Sequence, residues 1–249
     1  MRYFIEIAYK GTNYAGWQEQ QNTQNTVQGL LNKALTHTLR QPIVSLAGGR
    51  TDAGVHCRSQ FVHFDSEKIA DTAQFVFKVN RCLPDDIWVR KIWEVAAEAH
   101  ARFDALSRSY EYHISLEKNP FAEGLMLRCW QKIDVEAMNE AAKLLFQYTD
   151  FACFSKVKTD VKNFDCQIYR AEWVQQGHEL IFYIRANRFL RGMVRAIVGT
   201  LLEVGRGKAS KADFEQVILS KRRTEAGRNV PPEGLFLTEV AYPKEIFGR

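Results

Sequence analysis

Arg50, Asp52 and His56 fall in one short segment, Gly48–Arg58, reading GGRTDAGVHCR. Arg50 and Asp52 stand two residues apart, and if they pair, the carboxylate stays ionised at neutral pH. An ionised carboxylate can serve as a nucleophile, as a general base, or as half of a structural salt bridge. From residue chemistry alone a structural turn is the simpler reading, with the catalytic one open beside it. Gly48 and Gly49 tolerate backbone angles and close approaches that other residues resist. Asp52 and His56 have no third ligand near them in the chain, so no metal site is expected; a hydrogen bond holding the loop is the plainer role for His56. The five cysteines, Cys57, Cys82, Cys129, Cys153 and Cys166, never stand at C-x-x-C spacing. That argues against a zinc knuckle or redox pair and for incidental thiols in a reduced, cytosolic setting.

Arginines recur at 185, 188, 191 and 195, at intervals of three, three and four. This spacing places the last three on one face of a predicted helix over Phe189–Val204, where a solvated charged face opposite Met193, Ile197 and Leu201 is the plain alternative to a binding role. Lys221, Arg222 and Arg223 form a second basic cluster that reads equally well as surface decoration.

These residues need a scaffold. The Gly48–Arg58 segment lies between predicted strands near Pro42–Ala47 and Ser59–Phe64, and roughly a dozen residues is long for a simple hairpin turn. Ahead of it, Tyr3, Ile5, Ile7 and Tyr9 alternate with the period of a strand. A polar stretch from Gly11 to Gln24 follows, and a helix starts near Asn25 or Thr26, either able to cap it. Val27, Leu30, Leu31, Ala34, Leu35, Thr38 and Leu39 give that helix one apolar face. A helix near Thr72–Cys82 and a strand at Ile87–Val95 complete a β-α-β-β-α-β order. The second half repeats it. Tyr110, Tyr112, Ile114 and Leu116 share one face of a strand, and a helix spans about Asp134–Tyr148. Strands follow near Cys166–Gln175 and Leu180–Ala186, then helices at Phe189–Val204 and Ala212–Ser220 and a closing strand at Leu235–Tyr242. The expected fold is α+β: two ferredoxin-like (split βαβ) halves, 1–105 and 106–249, with mixed or antiparallel sheets. The boundary falls in Ala96–Ser109, and a ligand cleft is expected between the halves.

The chain has 249 residues, 34 Lys+Arg against 29 Asp+Glu, and a net charge of +5; 46% of it is hydrophobic, which excludes a disordered or collagen-like protein. A pI near 8.9 permits a nucleic-acid partner without demanding one. The N-terminus has no signal-peptide pattern, and Arg191 and Arg195 interrupt the longest apolar tract, so a soluble cytoplasmic protein with no membrane span is expected.

GGRTDAGVH closely resembles the signature of the TruA family of tRNA pseudouridine synthases. Three further segments resemble the same family in the same order: a YxGxxYxGWQ-like opening (Tyr9, Gly11, Tyr14, Gly16, Trp17, Gln18), HARFDA (His100–Ala105) and RFLRGMVRAIVGTLLEVG (Arg188–Gly205). Together they extend over essentially the whole chain. The resemblance implies Asp52 as nucleophile, Arg50 holding the target nucleotide open or in position, Tyr110 against the uracil ring, and Arg195 paired with the catalytic Asp. It implies action on uridines 38, 39 and 40 of the tRNA anticodon stem-loop by a homodimer, one tRNA contacting both subunits. Isomerisation breaks the N1–C1′ bond, turns the base and joins C5 to C1′; nothing is oxidised and no group leaves, so neither cofactor nor metal is expected. Attack at C1′, attack at C6 and assistance in removing the 2′ proton are all open to Asp52.

The target uridine must leave its stack before it reacts, which gives the basic residues a purpose. Arg58, Arg188 and Arg191 are expected toward the cleft or RNA phosphates, and Arg195 inward. The chain departs from the family pattern only slightly: Arg191–Gly192 stands where some members carry a His pair, and Cys57 follows the motif's His. Neither change touches a catalytic identity. Three rival readings stand beside this one. A non-catalytic tRNA-binding protein would have no chemical need for Asp52, Arg50, Tyr110 and Arg195 together. A carboxylate-dependent hydrolase needs a second acid or a metal cluster that the loop does not supply. A pseudouridine synthase acting on a different RNA would share every residue named.

Overall fold

The computed structural model of the chain describes residues 1–21, 23–157 and 163–248. It divides into two compact units, Met1–Leu106 with Phe236–Arg249, and Ser107–Leu235.

In the first unit the alternating Tyr3, Ile5, Ile7 and Tyr9 are buried on strand β1 (Arg2–Tyr9). β3 (His56–Asp65) and β4 (Ile87–Val95) flank β1, both antiparallel to it, and β2 (Leu46–Ala47) pairs antiparallel with β3 at His63 and Val62. At the other end of β3, β9 (Leu235–Ala241) runs parallel, with His56 beside Phe236 and Cys57 beside Leu237. Helix α1 (Val27–Leu39) begins where the Thr26 hydroxyl accepts the Gly29 N–H at 3.3 Å. It buries Val27, Leu31, Ala34 and Leu35, the i, i+4, i+7, i+8 stripe of a helix with one apolar face. Helix α2 (Thr72–Cys82) is capped by Asp71, and its Asn80 fastens it to β4 by donating to and accepting from the Val89 backbone, both at 2.8 Å.

The strand predicted from Pro42 contracts to Leu46–Ala47. Pro42 has no N–H, the Thr36 hydroxyl takes the Ile43 N–H at 3.0 Å, and Asn32 Oδ1 takes the Ser45 N–H at 3.0 Å. Side chains of α1 thus satisfy this stretch where a ladder was expected.

In the second unit β5 (Ser107–Ser115), β8 (Glu179–Ala186) and β7 (Ile168–Gln176) lie side by side in that order, antiparallel, with β6 (Leu127–Arg128) parallel to the end of β5. Three α-helices join them: α3 (Val135–Ala142), α4 (Met193–Gly205) and α5 (Lys211–Ser220). α4 is nearly all core, with Met193, Val194, Ala196, Ile197, Val198, Leu201, Leu202 and Val204 buried. A Cβ on Gly199 would lie 1.9 Å from the Arg228 carbonyl oxygen, so the chain near Arg228 passes directly over this helix. Asn139 clamps α3 to β7 through the N–H and C=O of Trp173.

Two predicted helices are shorter than expected. The one from Asp134 is α-helical only to Ala142 and tightens into a 3-10 turn over Lys143–Phe146. The one from Phe189 begins at Met193, because Gly192 takes the left-handed conformation (φ 74°) and the Met193 N–H turns back to the Leu190 carbonyl. Arg188 and Arg191 therefore precede the helix and do not share a helical face with Arg195, which corrects the spacing argument. Both units are α+β with mostly antiparallel pairing. Among the described residues, no helix is long and apolar enough to cross a membrane.

Candidate active site

The chain between β2 and β3 carries Asp52, and the polar stretch after β1 holds it. Gly11 donates its N–H to His56 Nδ1 at 3.0 Å, and a Cβ on Gly11 would sit 2.0 Å from the Val55 carbonyl oxygen. Only glycine allows that approach. Gly16, at φ 98°, is equally constrained: a Cβ there would meet the Thr51 carbonyl oxygen at 2.7 Å. Trp17 donates its N–H to that same oxygen at 3.1 Å, and the Tyr9 hydroxyl lies 2.8 Å from Thr51 Oγ1. Beyond Asp52, Gly54 donates to the Tyr14 carbonyl and Val55 to the Asp52 carbonyl, each at 3.2 Å. Thr51 and Val55 are buried while Asp52 is only half-buried. The protein grips the chain on both sides of a half-buried carboxylate, which fixes where that carboxylate sits.

A wider shell supports this grip. The Tyr14 hydroxyl donates to Asp86, and burial together with that bond raises its pKa well beyond the usual phenol range. Gln28, buried on α1, accepts from Gln18 Nε2 at 2.7 Å and the Glu19 N–H at 2.8 Å, and donates to the Ser45 carbonyl at 2.7 Å. The His56 ring stacks on Phe236 with centroids 4.5 Å apart, and the Arg58 guanidinium lies 5.0 Å over the same phenyl ring. Arg50 is exposed and makes no hydrogen bond or ion pair with the described residues, so the pairing with Asp52 that their spacing allows is not formed. Cys57 is buried, and burial drives its thiol pKa far up, away from thiolate chemistry.

The HARFDA segment abuts this loop. A Cβ on Gly48 would lie 2.9 Å from the Ala101 carbonyl oxygen and 2.6 Å from the Tyr242 hydroxyl, which itself donates to Ala101. The Ala101 N–H donates to His63 Nδ1 at 3.2 Å. Burial, helped by the neighbouring His100, pushes the His63 pKa down to about 4, which keeps that nitrogen an acceptor at neutral pH.

Tyr110 and Arg195 belong to the second unit. Tyr110 lies on β5 opposite Ile184, half-buried, with its ring edge-on to Phe189 at 5.2 Å. Its strand neighbour Tyr112 is fully buried and donates its hydroxyl to the Pro231 carbonyl at 2.9 Å, so the two tyrosines divide into a core group and a partly accessible one. Arg195, half-buried on α4, donates from Nε to the Val230 carbonyl at 2.7 Å, and the Val230 N–H returns to the Arg195 carbonyl at 3.2 Å. Arg223 braces the same connection through Ala226, Gly227 and Asn229.

Arg188 is half-buried and reaches the Asn163 carbonyl at 3.4 Å, whereas Arg191 is exposed. Lys221 pairs with Asp150 at 2.8 Å and Arg222 with Glu225 at 3.2 Å, so the second basic cluster has structural partners. Asp52, Arg50 and Arg58 thus belong to the first unit, and Tyr110, Arg188, Arg191 and Arg195 to the second. Gln28 and Tyr242 were not singled out from sequence, and Arg223 was noted only as part of a basic cluster. Among the described residues, no three His, Cys, Asp or Glu side chains converge as a metal site requires.

A family model described as tRNA pseudouridine synthase matches residues 6–104 and 141–243. The chain belongs to this family, whose members are isomerases. It is 51% identical over 247 residues to the tRNA pseudouridine synthase A of Parabacteroides distasonis, covering 99% of this chain and 98% of the relative. It is 50% identical to the protein of that name from Bacteroides thetaiotaomicron (99% and 92% covered) and 40% identical to that from Exiguobacterium sp. (96% and 96%). The family match includes Arg50, Asp52, Arg58, Arg188, Arg191 and Arg195, while Tyr110 falls between its two segments.

Proposed function

We propose that this chain converts uridine to pseudouridine in the tRNA anticodon stem-loop, at positions 38, 39 and 40, with Asp52 as the nucleophile. The observation that carries the reading is the grip on Thr51 and Val55, which fixes the backbone of a carboxylate inside the family's most distinctive motif. The flipped uridine meets the Asp52 carboxylate, and Arg195 supplies the opposing charge that keeps it ionised. Asp52 attacks C1′ or C6, or helps remove the 2′ proton; the N1–C1′ bond breaks, the uracil turns, C5 bonds to C1′, and any bond made to Asp52 breaks again. The C5 proton then leaves and N1 ends protonated, so atoms balance without any second reactant. Tyr110 stacks on the detached uracil and takes part in proton removal from C5. Arg50 holds the flipped nucleotide, and Arg58, Arg188 and Arg191 contact RNA phosphates.

This reading includes two ferredoxin-like halves with the chemistry in a cleft, a cytoplasmic homodimer sharing one tRNA, and no cofactor. The strand order β4-β1-β3-β2 of the first unit and β5-β8-β7 of the second support the split-βαβ part of it. Anticodon stem-loop RNA tritiated at uracil C5 tests the activity, because isomerisation must release that hydrogen to water. Release from loops with a single uridine at 38, 39 or 40 is expected. No release overturns the reading, and release only from other RNAs corrects the substrate.

A further inference from the structure

We infer that Phe103 is a stacking site for an unpaired base of the substrate RNA, an inference that rests on the RNA-modifying reading above. Hydrogen bonds among His100, Arg102, Phe103 and Asp104 tie the surrounding turn. His100 donates its N–H to Asp104 Oδ2 at 2.7 Å, and Asp104 returns its own N–H to the His100 carbonyl at 3.1 Å. His100 Nδ1 accepts the N–H groups of Arg102 at 3.1 Å and Phe103 at 3.4 Å. Ala101, in the middle, is buried between His63 and Tyr242 and lies against Gly48, at the start of the loop that carries Asp52. A turn so tied holds its side chains in fixed directions, yet the Phe103 ring is 74% exposed. Leaving a large apolar side chain in water forgoes the stabilisation that burial would bring, and here the ring stands on a tied turn beside cations.

The surroundings say which. The Arg102 guanidinium lies 5.6 Å from the ring centroid and the His100 ring 4.3 Å. Arg50 and Arg58, in the same unit, are exposed cations. An exposed aromatic ring flanked by guanidinium and imidazole suits a nucleobase with its phosphate nearby, and suits an apolar protein surface poorly. The other exposed aromatics, Phe121 and Trp130 among them, are not built into the turn that abuts the Asp52 loop. Phe103 therefore offers the RNA a fixed platform attached to the catalytic loop itself.

The test compares the full-length wild-type chain with Phe103→Ala, Phe103→Leu and Phe103→Trp. Affinity for anticodon stem-loop RNA is read by filter binding, and tritium release is followed in the same preparations. Phe103→Ala and Phe103→Leu are expected to weaken RNA binding about 5- to 150-fold, the range for loss of one base–aromatic stack. Phe103→Trp is expected to stay within about threefold of wild type, since it keeps a π-face. All three are expected to melt with the wild type, because the ring is exposed. Unchanged binding by Phe103→Ala, or full binding by Phe103→Leu, overturns the inference. So does a loss of self-association with RNA affinity per subunit unchanged. Absence of tritium release from the wild type would instead overturn the enzymatic reading, so the two failures are distinguishable.

Discussion

The loop around Asp52 and the arginine-bearing stretch from Arg185 to Arg195 spend their hydrogen bonds in opposite ways. At the loop, distant segments hold Thr51, Gly54 and His56 and leave Asp52 half-buried. In the other stretch the arginines hold the backbone of distant segments: Arg195 binds the Val230 carbonyl and Arg188 that of Asn163. Between them Arg191 is left exposed. Under the proposed function the difference would follow from the tasks of Asp52 and of Arg188 and Arg191. A bond-forming carboxylate must be placed to within tenths of an ångström, whereas attraction to phosphates acts through several ångströms and tolerates motion.

Breaking the grip carries the largest expected effect. Gly11→Ala places a methyl group against the Val55 carbonyl, so the loop must shift, and a stability loss on the order of 3 kcal/mol with near-complete loss of activity is expected. Thermal melting and tritium release check it; an active, wild-type-stable variant would break the comparison. Tyr9→Phe removes only the hydroxyl that meets Thr51 Oγ1. About 1 kcal/mol of stability should go, with a larger fall in kcat than in RNA affinity.

The next effect is on pH. His63 is held down to about 4, below its usual value of 6.5, so the unfolded chain takes up the proton first. Its contribution to stability is complete above pH 6.5 and is lost as pH falls from there toward 4. Melting curves across that window should show the decline, and His63→Gln should flatten it. The smallest effect sharpens the other side of the comparison. Arg191→Ala should leave kcat at saturating RNA unchanged while reducing the slope of log binding constant against log salt by about one. A fall in kcat would show that Arg191 is held for chemistry after all.

Much of this scaffold was legible in sequence. The alternation of β1, the Thr26 cap and apolar stripe of α1, and the span of α2 were all visible, because each is written in neighbouring residues. Failures came where a single local feature outweighed periodicity. Gly192 at positive φ delayed α4, and hydrogen bonds from Thr36 and Asn32 took the place of a ladder after Pro42. The loop around Asp52 announced itself by length and motif, and the simple role considered for His56, a hydrogen bond holding the loop, is what Gly11 provides. What holds the rest of that loop was hidden. Trp17, Tyr14 and Tyr9 act on it across many residues of intervening chain, and a backbone carbonyl as partner leaves no mark on side-chain spacing. Gln28 was hidden in the same way, as a buried polar residue amid an apolar helix face.

The central claim is that the gripped carboxylate performs the bond-forming step, and Asp52→Asn tests it most directly, because it keeps the shape of the side chain and removes its charge. Single-turnover tritium release and RNA affinity should be measured on the same preparation. The account predicts release more than about 1000-fold slower than wild type, with affinity within a few fold. Release at near the wild-type rate would contradict it.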